Sequence, residues 1–121
     1  MQRDAVPGAY YTDIDKLPWQ ATGLDGIDMK ILYSDQSTGL STILFRMQPG
    51  AVVPLHEHTG IEQTYMISGS LEDHEGVATA GNYVWRPGGS RHIARAPDGA
   101  VFISFFTKPN RFEGDTPVYA R

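Results

Sequence analysis

The sequence predicts an all-β domain with one hydrophobic core. From Asp28 onward, short runs rich in Ile, Val, Phe, Tyr and Thr alternate with Gly, Pro, Asn and Asp, a pattern typical of strands joined by turns. Many short strands at regular spacing favour a sandwich or a barrel. The length of 121 residues, of which 40% are hydrophobic, is sufficient for a single domain.

Seven of these runs are predicted strands, and they divide the chain into three parts. The predicted strands are residues 29–33, 40–48, 52–58, 62–68, 82–86, 92–96 and 100–107. We expect them to form the core of this sandwich or barrel, over residues 28–107. Residues 1–19 are rich in turn signals such as Pro7 and Pro18, and we expect them to form an arm that wraps the barrel or the partner subunit of a homodimer. Residues 108–121 are predicted to be an irregular tail.

Charge and composition argue against several classes of protein. Ten Lys and Arg against fourteen Asp and Glu give a net charge of -4, which argues against binding to nucleic acid or to an anionic membrane. No apolar run approaches the ~20 residues of a membrane span. The first residues lack the apolar stretch of a signal peptide, so we expect a cytoplasmic protein. The absence of cysteine excludes disulfides and thiolate zinc sites.

Three histidines and one glutamate have the spacing of metal ligands. His56 and His58 are two residues apart, so on one strand their side chains leave the same face. Glu62 follows a short Thr-Gly turn, after which the next strand can bring it beside that face. His92 can reach the same place from another strand. We therefore predict that His56, His58, Glu62 and His92 bind one divalent ion per chain.

Two neighbouring residues are not predicted to be ligands. His74 stands alone in an acidic turn, and a lone histidine is more often a packed or solvated residue than a ligand. Glu57 lies between two of the predicted ligands and faces the opposite side of the strand. We interpret Glu57 as a surface group or as a support for the ligands.

The two stretches that carry the predicted ligands resemble the motifs of the cupin superfamily. The first motif is Gly, five residues, His-x-His, three or four residues, Glu, six residues, Gly, and it is met from Gly50 to Gly69. The second is Gly, five residues, Pro-x-Gly, two residues, His, three residues, Asn, and it is met from Gly81 to His92. Position 96 departs from the second motif, because it is Ala96 where the motif has an asparagine, a residue that varies in the family. The resemblance implies a small jelly-roll β-barrel.

Further residues are similar to those of the ChrR-type cupins. They are Pro18-Trp19, Lys30-Ile31-Leu32, Thr42-Ile43-Leu44, Arg46, Pro49-Gly50-Ala51, Ala80-Gly81-Asn82-Tyr83 and Pro87-Gly88-Gly89-Ser90. This group includes the C-terminal domain of an anti-sigma factor, as well as stand-alone dioxygenases that cleave acetylacetone or 2,4'-dihydroxyacetophenone. The anti-sigma factor carries a separate helical domain with Cys and His zinc ligands, and this chain has no cysteine. The resemblance therefore favours an enzyme over a sensor.

The resemblance implies a non-haem Fe(II) dioxygenase that uses O2 to cleave a carbon–carbon bond of a small diketone or hydroxyketone. Glu62 is then a fourth ligand, or a displaceable group with a catalytic role. Neutral imidazoles and a carboxylate suit Fe(II), but they also accept Zn, Ni or Mn. The alternative is a metal-bound sensor or binding module for a small molecule, without turnover. A storage or purely structural protein is the third hypothesis.

Strand alternation predicts an apolar wall around the ion. If Glu62 points inward, so does Met66 on the same strand. The strand from residue 41 to residue 47 is expected to turn its odd-numbered apolar residues inward. On the last strand we prefer the odd-numbered residues as well, because the other set includes the polar Ser104. The residues predicted to bind substrate are Phe45, Met47, Met66, Ile103 and Phe105.

Overall fold

Antiparallel β-strands make up most of the described structure. The computed structural model describes residues 8–121. Within this range its strands are β1 (Gln20–Ala21), β2 (Ile27–Asp35), β3 (Leu40–Met47), β4 (Ala51–Glu57), β5 (Glu62–Glu72), β6 (Val77–Thr79), β7 (Tyr83–Arg86), β8 (Arg91–Ala96), β9 (Ala100–Phe106) and β10 (Arg111–Phe112). Two 3₁₀ turns, Ile14–Lys16 and Val118–Ala120, lie near the ends. No helix in this part of the chain is long and apolar enough to cross a membrane.

The strands curl into a half-barrel around β5. The sheet order is β1-β2-β3-β9-β5-β8-β4-β10, and β6 and β7 also pair with β5. This strand changes partners along its length, because Glu62 to Tyr65 pair with β7 and β9 whereas Glu72 pairs with β8. It therefore joins the two halves of the curled sheet. The prediction of an all-β jelly roll is confirmed.

Gly69, the last glycine of the first motif, allows the two halves of the sheet to approach each other. Its φ is 72°, a conformation that favours glycine. A Cβ at this position would clash with the backbone of Gly99, whose carbonyl oxygen accepts a hydrogen bond from the amide of Ser70. The turn before β9 consequently packs directly against β5. The need for glycine here comes from a backbone contact and not from metal binding.

Predicted inward residues of β3 and β5 are confirmed. Phe45, Met47 and Met66 are all buried, with exposed fractions of 4% or less. Phe45 packs on two other rings, at 5.4 Å from that of Phe102 and 4.8 Å from that of Tyr119 between centroids. Burial of each such side chain contributes about 1.5–3 kcal/mol to stability. These residues form the hydrophobic core inside the curl of the sheet.

The inner face of β9 is the opposite of the one predicted. Ser104 is buried between two buried phenylalanines, whereas Ile103 is half-buried on the outer face and Phe105 is 42% exposed. The prediction that Ile103 and Phe105 line the pocket is therefore wrong. It failed because a buried hydroxyl is tolerated when it is hydrogen-bonded. The Ser104 Oγ lies 2.9 Å from the Thr64 Oγ1, so the polar residue has a partner inside.

The N-terminal segment lies over the outer face of the sheet. Trp19 is stacked by two cations, with the Lys30 Nζ 4.7 Å and the Arg46 Cζ 4.2 Å from its ring centroid. Tyr10 and Tyr11 are almost fully exposed. The first seven residues of the predicted arm lie outside the described residues. Its contact with a partner subunit remains a prediction.

The C-terminal tail is more ordered than predicted. Arg111 and Phe112 form β10, which pairs with Glu57 and His56 of β4. Tyr119 then packs against Phe45 in the core. The prediction of an irregular tail is wrong here, because the edge of β4 offers free backbone groups that a two-residue strand can satisfy. The tail closes the half-barrel next to the predicted metal ligands.

Candidate metal centre

Three predicted ligands meet inside the sheet. His56 on β4 pairs in register with His92 on β8, and His58 follows one residue after the end of β4. All three are buried, with exposed fractions of 0–5%. One nitrogen from each ring lies within 4.8 Å of the others, so this group can hold a metal ion. The structure therefore brings together residues that are up to 36 positions apart in the sequence.

Hydrogen bonds determine the tautomers of His56 and His92. The Nδ1–H of His56 donates to the carbonyl oxygen of Pro54 at 2.8 Å, and that of His92 donates to the Oδ2 of Asp73 at 2.7 Å. In a neutral imidazole the other nitrogen then carries a lone pair. The two Nε2 atoms lie 3.0 Å apart. Two lone pairs at this distance repel each other unless a cation is placed between them.

His58 repeats this arrangement on the other side of the cluster. Its Nδ1–H donates to the Ser90 Oγ at 2.8 Å, and that hydroxyl in turn donates to the Pro87 carbonyl. The Nε2 atom of His58 is buried without a hydrogen-bond partner among the described residues. It faces the Oε1 of Glu62 at 2.8 Å. An imidazole nitrogen at this distance from a carboxylate oxygen shares a proton or a metal ion with it.

Glu62 is held in position by its own strand and by β9. Thr64 donates to the Oε2 of Glu62 at 3.3 Å, and the Ser104 hydroxyl lies 2.9 Å from the Thr64 hydroxyl. Burial by itself would raise the pKa of Glu62, but the neighbouring His58 favours the charged form and the pKa is lowered. A carboxylate is therefore present beside the three imidazoles at neutral pH.

Asp73 and Arg86 support His92 from the side away from the cluster. The Oδ2 of Asp73 also accepts a hydrogen bond from the Arg86 Nη2 at 3.1 Å, and its Oδ1 accepts from the amides of Glu75 and Gly76. Burial and the charge of Arg86 lower the pKa of His92 to about 4. Burial also lowers the pKa of His56. Both imidazoles are therefore neutral at physiological pH, as metal ligands must be.

The arrangement fits a divalent ion. Ligand atoms about 2.1 Å from an ion and at right angles to each other are separated by about 3.0 Å. The two short separations in the cluster, 3.0 Å between imidazoles and 2.8 Å between imidazole and carboxylate, agree with this value. Each histidine also donates its Nδ1–H to an oxygen, which is the usual support of a metal-bound imidazole. Neutral nitrogens and one carboxylate suit Fe(II), Zn, Ni or Mn.

A small cavity adjoins the cluster. Its volume is about 30 Å³, enough for about two water molecules. Among the four predicted ligands, His56, Glu62 and His92 contribute to its wall, whereas His58 does not. The remaining lining residues are Ile27, Phe45, Val53, Leu71, Arg86, Ala94, Phe102, Phe106, Asn110 and Tyr119. An ion held by the cluster would therefore border a mostly apolar space.

The predicted substrate-binding residues have three different positions. Phe45 lines the cavity. Met47 and Met66 belong to the hydrophobic core but do not line the cavity. Ile103 and Phe105 face outward. His74 and Glu57, which were not predicted to be ligands, also lie outside the cluster of histidines. The side chain of His74 is 65% exposed, and Glu57 is paired with Arg111 at 2.5 Å.

Sequence reasoning missed the residues that support the ligands. The sequence offered one clue to Asp73, which lies in the acidic turn between the two motifs. Only the pairing of β5 with β6 and β8, however, brings that turn to His92. Ser90 lies inside the second motif, two residues before its histidine. Asn110 and Tyr119 have no motif at all, because they belong to the tail.

Comparison with known proteins identifies the family. A family model for the ChrR cupin-like domain matches residues 7–111. No curated protein matches the chain significantly. A protein of unknown function with a cupin-like fold from Ralstonia eutropha JMP134 is 30% identical, with a TM-score of 0.79, and the match covers 86% of this chain and 75% of that one.

Two further solved structures share the fold at lower identity. One, provisionally assigned as an acetylacetone dioxygenase, comes from Methylibium petroleiphilum PM1; it is 22% identical with a TM-score of 0.82, over 93% of this chain and 87% of that one. The other is an acetylacetone dioxygenase from Acinetobacter johnsonii, 24% identical with a TM-score of 0.74, over 95% and 83% of the two chains.

Proposed function

The chain belongs to the ChrR cupin-like family, and on this premise we propose that it is a metal-dependent dioxygenase. Its proposed substrates are O2 and a small diketone or hydroxyketone, of which one carbon–carbon bond is cleaved. One observation carries the proposal: three imidazoles and a carboxylate converge beside a mostly apolar cavity that His56, His92 and Glu62 line. Similarity in fold to an acetylacetone dioxygenase supports the substrate class.

The proposed metal ligands are His56, His58, His92 and Glu62, which together would hold one divalent ion. Fe(II) is favoured because this donor set suits it and because the reaction requires a metal that exchanges electrons. When bound, such an ion supplies Lewis acidity toward two substrate oxygens and redox chemistry toward O2.

Glu62 is the proposed catalytic residue. Its carboxylate is ionised, reaches the cavity and is held by the Thr64 hydroxyl. It can accept the proton that a diketone loses on conversion to its enolate, because this carbon acid is unusually acidic. The phenylalanine walls of the cavity leave room for few water molecules, which strengthens the electrostatic interactions at the site.

Oxygen consumption tests the proposal. Protein loaded with Fe(II) is expected to consume O2 when acetylacetone or an aromatic hydroxyketone is added, as measured with an oxygen electrode. Protein loaded with Zn should bind the same compounds without turnover, because Zn has no redox chemistry. The absence of O2 uptake from Fe(II)-loaded protein across such a panel would contradict the dioxygenase proposal.

Glu62→Gln separates two roles of the carboxylate. If Glu62 is a ligand, the variant should lose most of its iron affinity. If Glu62 acts only in proton transfer, the variant should retain iron and react more slowly, by about 10²–10⁴-fold. Iron content by elemental analysis and the rate of O2 uptake distinguish these outcomes.

The size of the cavity favours a second candidate function. A space for about two water molecules is smaller than any diketone, so the substrate would extend beyond the cavity or displace part of the wall. A sensor or binding module that holds its ion in a closed site needs no such displacement. Tight binding of Zn together with no binding of a diketone to the loaded protein would favour this second function.

A further inference from the structure

Two polar side chains of the C-terminal tail face the cavity without a role in holding the ion. Asn110 is 6% exposed, and its Oδ1 has no hydrogen-bond partner in the described part of the chain. Tyr119 lines the same cavity. Burial and the negative charge of Glu62 raise the pKa of the Tyr119 hydroxyl well above its ordinary value, so the hydroxyl keeps its proton and remains a hydrogen-bond donor.

A buried polar group that lacks a hydrogen-bond partner lowers the stability of a protein. A buried donor or acceptor without a partner destabilises the protein by about 1–3 kcal/mol. Native structures contain few of these groups, and each requires an explanation. The amide of Asn110 can present either its oxygen or its NH2 group to the cavity, because a half-turn exchanges them with almost no change in shape. A ligand with oxygen atoms in the cavity would satisfy it in either orientation.

The other polar side chains of the cavity wall each have at least one partner in the protein. Arg86 donates through Nη2 to Asp73, Glu62 accepts from Thr64, and His56 and His92 donate through Nδ1. The remaining residues of the wall are apolar. Within residues 8–121, Asn110 and Tyr119 are therefore the polar side chains of this wall whose Oδ1 and hydroxyl groups are left to bond a ligand.

We propose that Asn110 and Tyr119 form hydrogen bonds to the oxygen atoms of the molecule that binds beside the metal centre. The ligand class is a small dicarbonyl or hydroxyketone, since it must offer oxygens to these two residues and an apolar remainder to the phenylalanine walls. The inference rests on the proposed function and assigns the selection of the substrate to the tail.

Ligand binding without turnover tests this inference. Protein loaded with Ni(II) is titrated with acetylacetone and, separately, with hydroxyacetone, and binding is measured by calorimetry. Tyr119→Phe and Asn110→Leu should each weaken binding by about tenfold, because each removes one hydrogen bond to the ligand. Both variants should retain the Ni content of the wild type. Tyr83→Phe is the matched control, since the Tyr83 hydroxyl donates to Gln63 on the outer face and should not affect binding.

The possible results separate this inference from the proposed function. If the wild type binds a probe and both variants bind it equally well, the inference is wrong and the proposed function stands. If the Ni-loaded wild type binds neither probe, both are wrong. A lower Ni content in Tyr119→Phe would place Tyr119 in the metal centre and would also contradict the inference. This variant keeps the aromatic ring in the core, so it tests the inference even if Asn110→Leu does not fold.

Discussion

The two faces of the sheet around β5 and β9 differ: polar side chains lie buried among core residues on the inner face, and aromatic side chains lie exposed on the outer face. The inner face carries Glu62, Thr64 and Ser104, each exposed by 8% or less. The outer face carries large aromatic side chains in solvent, such as Tyr65 at 46% and Trp85 at 56% exposure. Polar residues are tolerated inside because they are hydrogen-bonded to one another. Apolar residues that cluster outside indicate a surface that lacks a partner.

The inner face is organised as a chain of hydroxyl groups. Ser104 bonds to Thr64, and Thr64 donates to the carboxylate of Glu62. This chain gives Ser104 a hydrogen-bond partner inside, on the face of β9 that also buries Phe102 and Phe106. On the outer face of β5, β7 and β9, the side-chain hydrogen bond among the described residues is the isolated one from Tyr83 to Gln63. The two faces should therefore respond differently to substitution.

The largest effect is expected from removal of an inner histidine. His56→Ala or His92→Ala should abolish stoichiometric metal binding, because each removes one of three converging nitrogens. His74→Ala is the control and should bind metal as the wild type does, since its side chain is exposed. Elemental analysis after dialysis measures the metal content. Equal content in wild type and His92→Ala would refute the assignment of the site.

The stability of the metal-free protein should depend on pH because of His92, which also lies inside the sheet. His92 has a pKa of about 4 in the folded protein, against an ordinary value of 6.5. As the pH falls, this histidine is therefore protonated in the unfolded chain at a higher pH than in the folded protein. Its contribution to stability is full above about pH 6.5 and is lost as the pH falls to about 4, by up to about 3 kcal/mol. Urea unfolding at several pH values measures this loss. His92→Gln should show a smaller loss, and an identical pH profile in this variant would contradict the prediction.

A smaller effect is expected within the hydroxyl chain. Thr64→Val leaves the Ser104 hydroxyl buried without its partner, and the free energy of unfolding should fall by about 1–3 kcal/mol. Adding Ser104→Ala should recover part of this loss, because no unpaired hydroxyl then remains. Denaturant unfolding of the two single variants and the double variant measures the coupling. Strictly additive losses would show that the two hydroxyls do not depend on each other.

The outer face should contribute to association and not to the metal site. Five half-exposed aromatic residues there offer roughly 400–600 Å² of apolar area, which approaches the ~800 Å² per partner of a stable interface. They are Tyr33, Tyr65, Tyr83, Trp85 and Phe105. We expect a second copy of this chain to cover them in a homodimer. Trp85→Ser with Phe105→Ser should shift the protein toward monomer in sedimentation experiments without changing its metal content. A monomeric wild type at high concentration would contradict this.

The tail shows the limit of prediction from local pattern. Residues 108–121 contain turn signals and no alternating run, so the sequence predicts no element there. β10 forms only because the edge of β4 is available to it, and that edge exists only after the sheet has closed. The two cavity residues of the tail could therefore not be assigned to the site before the fold was known.

From the sequence alone, seven of the ten strands of the described residues could be predicted, together with the shared face of His56 and His58, because the two-residue repeat of a strand and the turn glycines are local properties. Tertiary structure decided the rest. The inner face of β9 depended on whether a hydroxyl on another strand could satisfy Ser104, and the support of His92 depended on a distant acidic turn that reaches it. Both are contacts between residues far apart in the chain, and a buried polar group is stable only where such a partner is found.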